Sequence, residues 1–176
     1  ARIAIQGTGH VGAALAALLA ECGAELLLAD PVVERVEVVA AATGGTVLDP
    51  DALPRTACDV FAPCGLGGVL DDALLPALRC RVVAGAANNQ LATPDVASDL
   101  ARRGVLYVPD FLLNAGGVIH AALAWSGAPP EEVSTRVEAI GATVAEVLAG
   151  AERRGLLPLQ VAAELAAARL EGAATS

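Results

Sequence analysis

Three glycines near the start of the chain have a spacing that suits phosphate binding. Gly7, Gly9 and Gly12 follow the apolar stretch 2–6, and an uncharged helical stretch comes directly after them. Glycines in this pattern allow a tight turn, a close approach of the backbone to a ligand and close packing of the helix on the strand. Free N–H groups and the positive dipole end of the helix then attract phosphate. The pattern predicts a dinucleotide site.

An acidic residue ends the second apolar stretch. Asp30 follows residues 26–29, roughly twenty residues after the first glycine, where a carboxylate binds the hydroxyls of a ribose. An aspartate before Pro31 is also typical of an ordinary turn, but the spacing favours the ribose ligand. A carboxylate repels a 2′-phosphate, and the nearest arginine, Arg35, lies one turn into the next helix. The sequence therefore favours NAD over NADP.

Short apolar stretches recur along the first part of the chain and alternate with helical or turn-rich segments. The predicted strands are 2–6, 26–29, 45–48, 59–62, 81–84 and 105–108. This alternation predicts an α/β fold with a doubly wound parallel sheet, the Rossmann arrangement, whose core is complete by about residue 110. The first helix, predicted over 10–22, has its apolar stripe at Val11, Leu15, Leu18, Leu19 and Cys22.

Further helices are predicted after the sheet, over about 114–126, 131–154 and 158–171. Their apolar faces need a surface to pack on. The helices therefore either wrap this domain, pack on another domain, or support a homo-oligomer. Phe111 and Trp125 are expected in a core or an interface. Because no linker divides the 176 residues, we expect one NAD-binding domain over 1–176.

The overall composition argues against several classes of partner. A net charge of −9 and a pI near 4.6 repel nucleic-acid phosphates and anionic lipids, so neither nucleic acid nor a membrane surface is expected as a partner. The uncharged stretch 111–130 is long enough to cross a bilayer, but its polar and helix-breaking residues argue against a span. No secretory leader is recognisable, which favours the cytoplasm. Four cysteines without C-x-x-C spacing indicate reduced, packed thiols and no metal site.

Two more segments follow predicted strands and contain small or amide side chains. Residues 62–68 follow the fourth strand, and residues 85–91 follow the fifth. Ligands of open parallel sheets bind at the carboxyl ends of the strands, where small residues let a flat ring approach the backbone. Asn88 and Asn89 can donate to a carboxamide or carboxylate, although asparagines also satisfy loop backbone.

Four segments in this order resemble one family. They are GTGHVG at 7–12, DVFAPC at 59–64, AANNQL at 86–91 and PDFLLNAGGVI at 109–119. Together they resemble the nucleotide-binding domain of the leucine, valine and phenylalanine dehydrogenases, relatives of glutamate dehydrogenase, from Arg2 to about Leu170. The resemblance implies an oxidoreductase that reversibly deaminates branched-chain or aromatic L-amino acids to 2-oxo acids with NAD.

The resemblance also implies roles for individual residues. Those at the cofactor are Gly7, Thr8, Gly9, His10, Val11, Gly12, Asp30, Cys64, Gly65, Ala87, Asn88 and Asn89. Those at the amino-acid substrate are Asn89, Asn114, Gly116, Gly117 and Val118. Val118 would help to shape a pocket for an apolar side chain. His10 departs from the asparagine of the family pattern and is either a phosphate contact or a partly exposed turn residue. Cys64 is expected to pack beside the cofactor without reacting.

No lysine occurs in the sequence, since all eleven basic residues other than histidine are arginines. The resemblance implies that lysines of an N-terminal catalytic domain bind the substrate carboxylate and activate water, with an aspartate beside them. Arginine cannot serve as that base because its guanidinium stays protonated. We therefore expect no catalytic residue in this chain, and NAD binding without turnover. The alternatives are a non-catalytic NAD-sensing regulatory module and a complementing subunit of a split dehydrogenase.

Overall fold

The computed structural model of the chain describes residues 1–174. It divides into two compact units, the first formed by Ala1–Asp110 and the second beginning at Phe111. The last two residues of the predicted domain, 175 and 176, lie outside the described residues.

The first unit is built on a six-stranded parallel sheet. Its strands are β1 (Arg2–Gln6), β2 (Glu25–Ala29), β3 (Thr46–Val47), β4 (Val60–Pro63), β5 (Val82–Val83) and β6 (Leu106–Tyr107). They lie in the order β3-β2-β1-β4-β5-β6, and every neighbouring pair is parallel. This order reverses between β1 and β4, and at such a point the carboxyl edge of the sheet opens a crevice. The α/β fold class and the six predicted strands are confirmed.

Helices cover the sheet because both of its faces are apolar. The first unit contains α1 (His10–Glu21), α2 (Val33–Thr43), α3 (Asp95–Arg102) and 3₁₀ turns at Leu53–Arg55 and Leu75–Ala77. One core cluster comprises Ile3, Ile5, Ala16, Leu26, Leu28, Val36, Val39 and Ala62. Between these positions, Ala4 and its strand partners Leu27 and Phe61 are buried as well. Neighbouring residues of a strand point to opposite faces, so both faces of the sheet are buried.

The inward face of α1 differs from the predicted stripe. Leu15 and Leu19 of the predicted stripe pack against the core cluster, but Val11, Leu18 and Cys22 are exposed, and the buried residues of this helix are Gly12 and Ala16. A Cβ atom on Gly12 would lie only 1.9 Å from the Gly7 carbonyl oxygen. This close contact fixes which side of α1 faces the sheet, and hydrophobic periodicity alone does not reveal it.

The second unit is helical. It contains the rest of α4 (Asp110–Leu113), followed by α5 (Gly116–Trp125), α6 (Pro130–Arg154) and α7 (Pro158–Ala174). Two glutamates begin α6 and two arginines end it, charges that stabilise the two ends of the helix dipole. Helix α7 packs on α6 at Gly150, where a Cβ atom would lie 3.1 Å from a methyl group of Val161. The three helices predicted after the sheet are confirmed.

Several large apolar side chains of the second unit face solvent, among them Val118, Trp125 and Leu170. Trp125 is 94% exposed and Phe111 is 44% exposed. The prediction of a core position is therefore wrong for both residues, and their location in an interface stays a prediction. Within residues 1–174, no helix combines the length and the apolar character needed to cross a membrane.

Candidate functional site

The glycine turn, residues 7–12, uses its glycines in two different ways. Gly7 has a φ of 94°, and a Cβ atom there would lie 2.8 Å from the Gly65 amide nitrogen. A side chain at Gly7 or at Gly12 would collide with backbone atoms, so the fold requires glycine at both positions. Gly9 precedes α1 as its N-cap, and a Cβ atom there would meet nothing within 4 Å. Open space therefore lies in front of a helix N-terminus, where the backbone can bind phosphate.

Asp30 follows β2 and is hydrogen-bonded to the glycine turn. Its Oδ2 accepts bonds from the Thr8 amide at 2.7 Å and the Thr8 hydroxyl at 3.2 Å, and its Oδ1 accepts the Val32 amide at 2.9 Å. Burial raises the pKa of Asp30, but the two backbone bonds and the charge of Arg35 outweigh it, and the net pKa is lowered. The carboxylate is therefore ionised at neutral pH and ties the end of β2 to the turn after β1.

Beside this carboxylate lies a pocket of about 490 Å³. Its lining residues are Thr8, Gly9, His10, Ala13, Arg35, Val38 and Val39. Arg35 lies in the first turn of α2, and its Nη1 lies 3.4 Å from Asp30 Oδ1, so this arginine reaches the pocket. His10 is exposed at the pocket. The pocket has the position expected for the adenosine end of a dinucleotide.

The loop after β4 lies against the glycine turn. The Cys64 amide donates to the Gln6 carbonyl at 2.7 Å, and the Gly65 backbone borders Gly7. The Cys64 side chain packs against the core cluster beneath α1. Burial raises the pKa of the Cys64 thiol, which keeps the sulfur protonated and a poor nucleophile. The geometry thus supports a packing role for Cys64.

The loops after β4 and β5 are joined by backbone hydrogen bonds. Ala87 N–H donates to the Pro63 carbonyl at 2.9 Å, and Gly68 N–H donates to the Asn89 carbonyl at 2.7 Å. Asn89 has a φ of 50°, a left-handed conformation that asparagine adopts more readily than most residues. Asn88 and Asn89 are exposed, whereas Ala87 is buried. The two amide side chains are therefore presented at the carboxyl edge from a fixed backbone.

The buried side chain of Gln90 forms hydrogen bonds that hold the loop after β5. Its side chain is fully buried, and Nε2 donates to the carbonyls of Gly85 at 2.7 Å and Ala87 at 3.0 Å. Its backbone amide donates to Asp110 Oδ2 at 3.1 Å. Gln90 Oε1 accepts no hydrogen bond from the residues that the structure describes. The buried amide group therefore acts through its N–H groups, which fix the course of the loop.

The predicted substrate residues belong to both units. Asn89 lies in the first unit, whereas Asn114, Gly116, Gly117 and Val118 lie in the second. The last three begin α5, and Val118 is 74% exposed. Their joint role at one substrate stays a prediction.

Three contacts of the site were not predicted from the sequence: the bonds from Thr8 to Asp30, the approach of Arg35, and the anchoring of the loop after β5 by Gln90 and Asp110. The position of Arg35 is a usable signal, because an arginine in the first turn of the helix after Asp30 can reach back to that carboxylate. Gln90 carries no such signal, since a glutamine in a polar loop is usually exposed.

Comparison with known proteins finds relatives of the chain among amino-acid dehydrogenases. The family model for glutamate/leucine/phenylalanine/valine dehydrogenase matches residues 29–175. Leucine dehydrogenase of Thermoactinomyces intermedius is 36% identical over 169 residues, which cover 96% of this chain and 46% of that protein. Valine dehydrogenase of Streptomyces virginiae is 39% identical over 178 residues, which cover 98% of this chain and 49% of that protein.

Structural similarity agrees with the sequence matches. The crystal structure of L-tryptophan dehydrogenase from Nostoc punctiforme matches with a TM-score of 0.94 and 34% identity, covering 99% of this chain and 53% of that one. The chain spans about half the length of these relatives. The resemblance stated from the four sequence segments is confirmed: this chain belongs to the glutamate/leucine/phenylalanine/valine dehydrogenase family.

Proposed function

We propose that the first unit binds NAD along the carboxyl edge of its sheet. Gly7, Gly9 and Gly12 would hold the pyrophosphate, with Thr8, His10 and Val11 completing the turn around it. Asp30 would bind the adenosine ribose. The observation that carries this proposal is the open space at Gly9, since Gly7 and Gly12 are closed by protein contacts and Gly9 is not. Open space at a glycine that precedes a helix N-terminus lets a phosphate approach the free backbone amides.

The other end of the cofactor would lie along the loops after β4 and β5. Cys64 and Gly65 would border it, and Ala87, Asn88 and Asn89 would lie near the nicotinamide. The exposed amides of Asn88 and Asn89 have the donors and acceptors that a carboxamide and a ribose require. When bound, the nicotinamide would supply a hydride acceptor.

We further propose that the protein containing this segment deaminates branched-chain or aromatic L-amino acids. The reaction converts the amino acid, NAD⁺ and water into a 2-oxo acid, ammonium, NADH and a proton. Support comes from the relatives, which are leucine, valine and L-tryptophan dehydrogenases. Asn89, Asn114 and residues 116–118 would border the amino acid, with Val118 beside its apolar side chain.

This segment would not perform the deamination alone. Water must lose a proton as it attacks, and a base near neutral pH is required for that step. The sequence contains no lysine, and arginine stays protonated. We propose that a lysine-bearing catalytic domain completes the site, and that residues 1–110 contribute cofactor binding to it.

Calorimetric titration of the purified chain with NAD⁺ tests both parts of the proposal. Saturable binding is expected, followed by no NADH absorbance when leucine, valine or phenylalanine is added to the bound chain. Absence of NAD⁺ binding would overturn the cofactor site. NADH formation by the chain alone would overturn the requirement for a second, lysine-bearing domain.

A further inference from the structure

The second unit contains a groove that the proposed function does not use. It has a volume of about 640 Å³, within the range of roughly 300–1,000 Å³ that small-molecule sites occupy. Its apolar lining includes Ile119 and Leu123 of α5 and Ile140 of α6. None of the residues assigned above to the cofactor or to the amino-acid substrate lines this groove. The groove is therefore a separate candidate site, formed within the second unit alone.

The spacing of the lining residues shows that one face of each of two helices forms the groove. On α5 they recur at 119, 122 and 123, and on α6 at 136, 139, 140 and 143. Residues three and four positions apart lie on the same face of a helix. Both faces consist of apolar side chains except for Arg136 and Thr143. Arg136 therefore places a positive charge on a helix face that is otherwise largely apolar.

The groove carries positive charge although the chain is acidic. Its lining includes Arg136 of α6 and Arg169 of α7 and, among the described residues, no aspartate or glutamate, whereas the whole chain has a net charge of −9. Arg136 forms no ion pair or hydrogen bond with a residue that the structure describes. Arg169 Nη2 lies 3.9 Å from Glu146 Oε2, and these side chains are 61% and 59% exposed, so the pair is weak. Both guanidinium groups therefore have donors available for an anion.

We propose that this groove binds an apolar carboxylate, a molecule with one carboxylate group and a hydrocarbon tail. A guanidinium group donates two parallel hydrogen bonds to a carboxylate, and the tail would leave water by packing along α5 and α6. An amino acid is a poorer ligand, because its ammonium group would meet two arginines and no acidic side chain among the described lining residues. The inference concerns the second unit and does not depend on the proposed cofactor site.

Calorimetric titration of the purified chain with octanoate, 1-octanol, acetate and L-leucine tests the ligand class. Octanoate is expected to bind saturably at one site. The alcohol has the same tail without the charge, and acetate has the charge without the tail, so each should bind at least about tenfold more weakly than octanoate. L-Leucine is expected not to bind. Absence of saturable octanoate binding, or equal affinity for 1-octanol or L-leucine, would overturn the inference and leave the NAD⁺ site intact.

Three variants locate the octanoate site. Arg136→Gln is expected to weaken octanoate binding about tenfold or more. Arg153→Gln removes the same charge from α6 at an exposed position outside the groove lining and is expected to leave the affinity unchanged. Ala122→Phe places a larger side chain in the groove at an exposed position and should also weaken binding about tenfold or more, with unchanged urea denaturation. Equal octanoate affinities of Arg136→Gln and Arg153→Gln, or wild-type affinity in Ala122→Phe, would show that octanoate does not bind in this groove.

Discussion

The two sides of the carboxyl edge are constructed in different ways. On the β1–β2 side, an ionised side chain makes the connections, because Asp30 accepts bonds from Thr8 and Val32 and pairs with Arg35. On the β4–β5 side, backbone hydrogen bonds and the buried Gln90 make them. Side-chain chemistry on the first side can change while the fold remains. On the second side the proposed cofactor contacts lie on loops that these hydrogen bonds hold in place, so substitutions of the holding residues act first on stability.

Gly85→Ala is expected to have the largest effect and to act on the β4–β5 side. A Cβ atom at this buried position would lie 2.2 Å from the Pro63 carbonyl oxygen, and backbone cannot move aside as a side chain can. We expect the free energy of unfolding to fall by about 3 kcal/mol or more, measured by urea denaturation. Gly65→Ala is the matched control after β4, since its nearest contact would be an ordinary 3.7 Å. Equal stability of the two variants would contradict the tight approach at Gly85.

Substitutions of Gln90 test the hydrogen bonds that hold the β4–β5 side. Gln90→Met removes the two donors to Gly85 and Ala87 at similar volume, and we expect a loss of about 2 kcal/mol in unfolding free energy. Gln90→Glu should lose more, because a carboxylate would face two carbonyl oxygens in a buried position. Urea denaturation gives both values. A glutamate variant as stable as the methionine variant would show that the buried N–H groups do not hold the loop.

On the β1–β2 side, Asp30→Asn is expected to cost about 1.5 kcal/mol or more at neutral pH. One carboxylate oxygen becomes an NH2 group, which cannot accept the Thr8 or Val32 amide, and the other becomes a neutral acceptor. The folded pKa of Asp30 is lowered, so ionisation stabilises the fold. This contribution is complete above the ordinary aspartate pKa of about 3.9 and is lost as pH falls through the folded value. Denaturation at several pH values should therefore show the wild type and Asp30→Asn converging in acid. The exposed Asp51→Asn serves as the control, and a pH-independent difference would contradict the assignment.

The contrast between the two sides also explains which features of the fold and the site the sequence can predict. Strand positions and the turn at residues 7–12 follow from local patterns of apolar residues and glycines, and the structure confirms them. The inward face of α1 does not follow, because the contact between Gly12 and the Gly7 carbonyl overrides the apolar stripe. The burial of Gln90 does not follow either, since its partners depend on how the loop after β5 closes.

Gly9→Ala should have the smallest effect on stability and yet a clear effect on binding. The backbone at Gly9 has a φ of −66° and an extended ψ, which alanine can adopt, and its Cβ would meet no protein atom. We expect the free energy of unfolding to fall by about 0.5–1 kcal/mol, because alanine is a poorer N-cap than glycine, and NAD⁺ affinity to fall about tenfold or more in calorimetric titration. Gly141→Ala, at an equally open position in α6, is the control and should leave NAD⁺ affinity unchanged. If Gly9→Ala bound NAD⁺ as the wild type does, the open space before α1 would not be where the pyrophosphate lies, since a methyl group there would stand between the phosphate and the backbone amides.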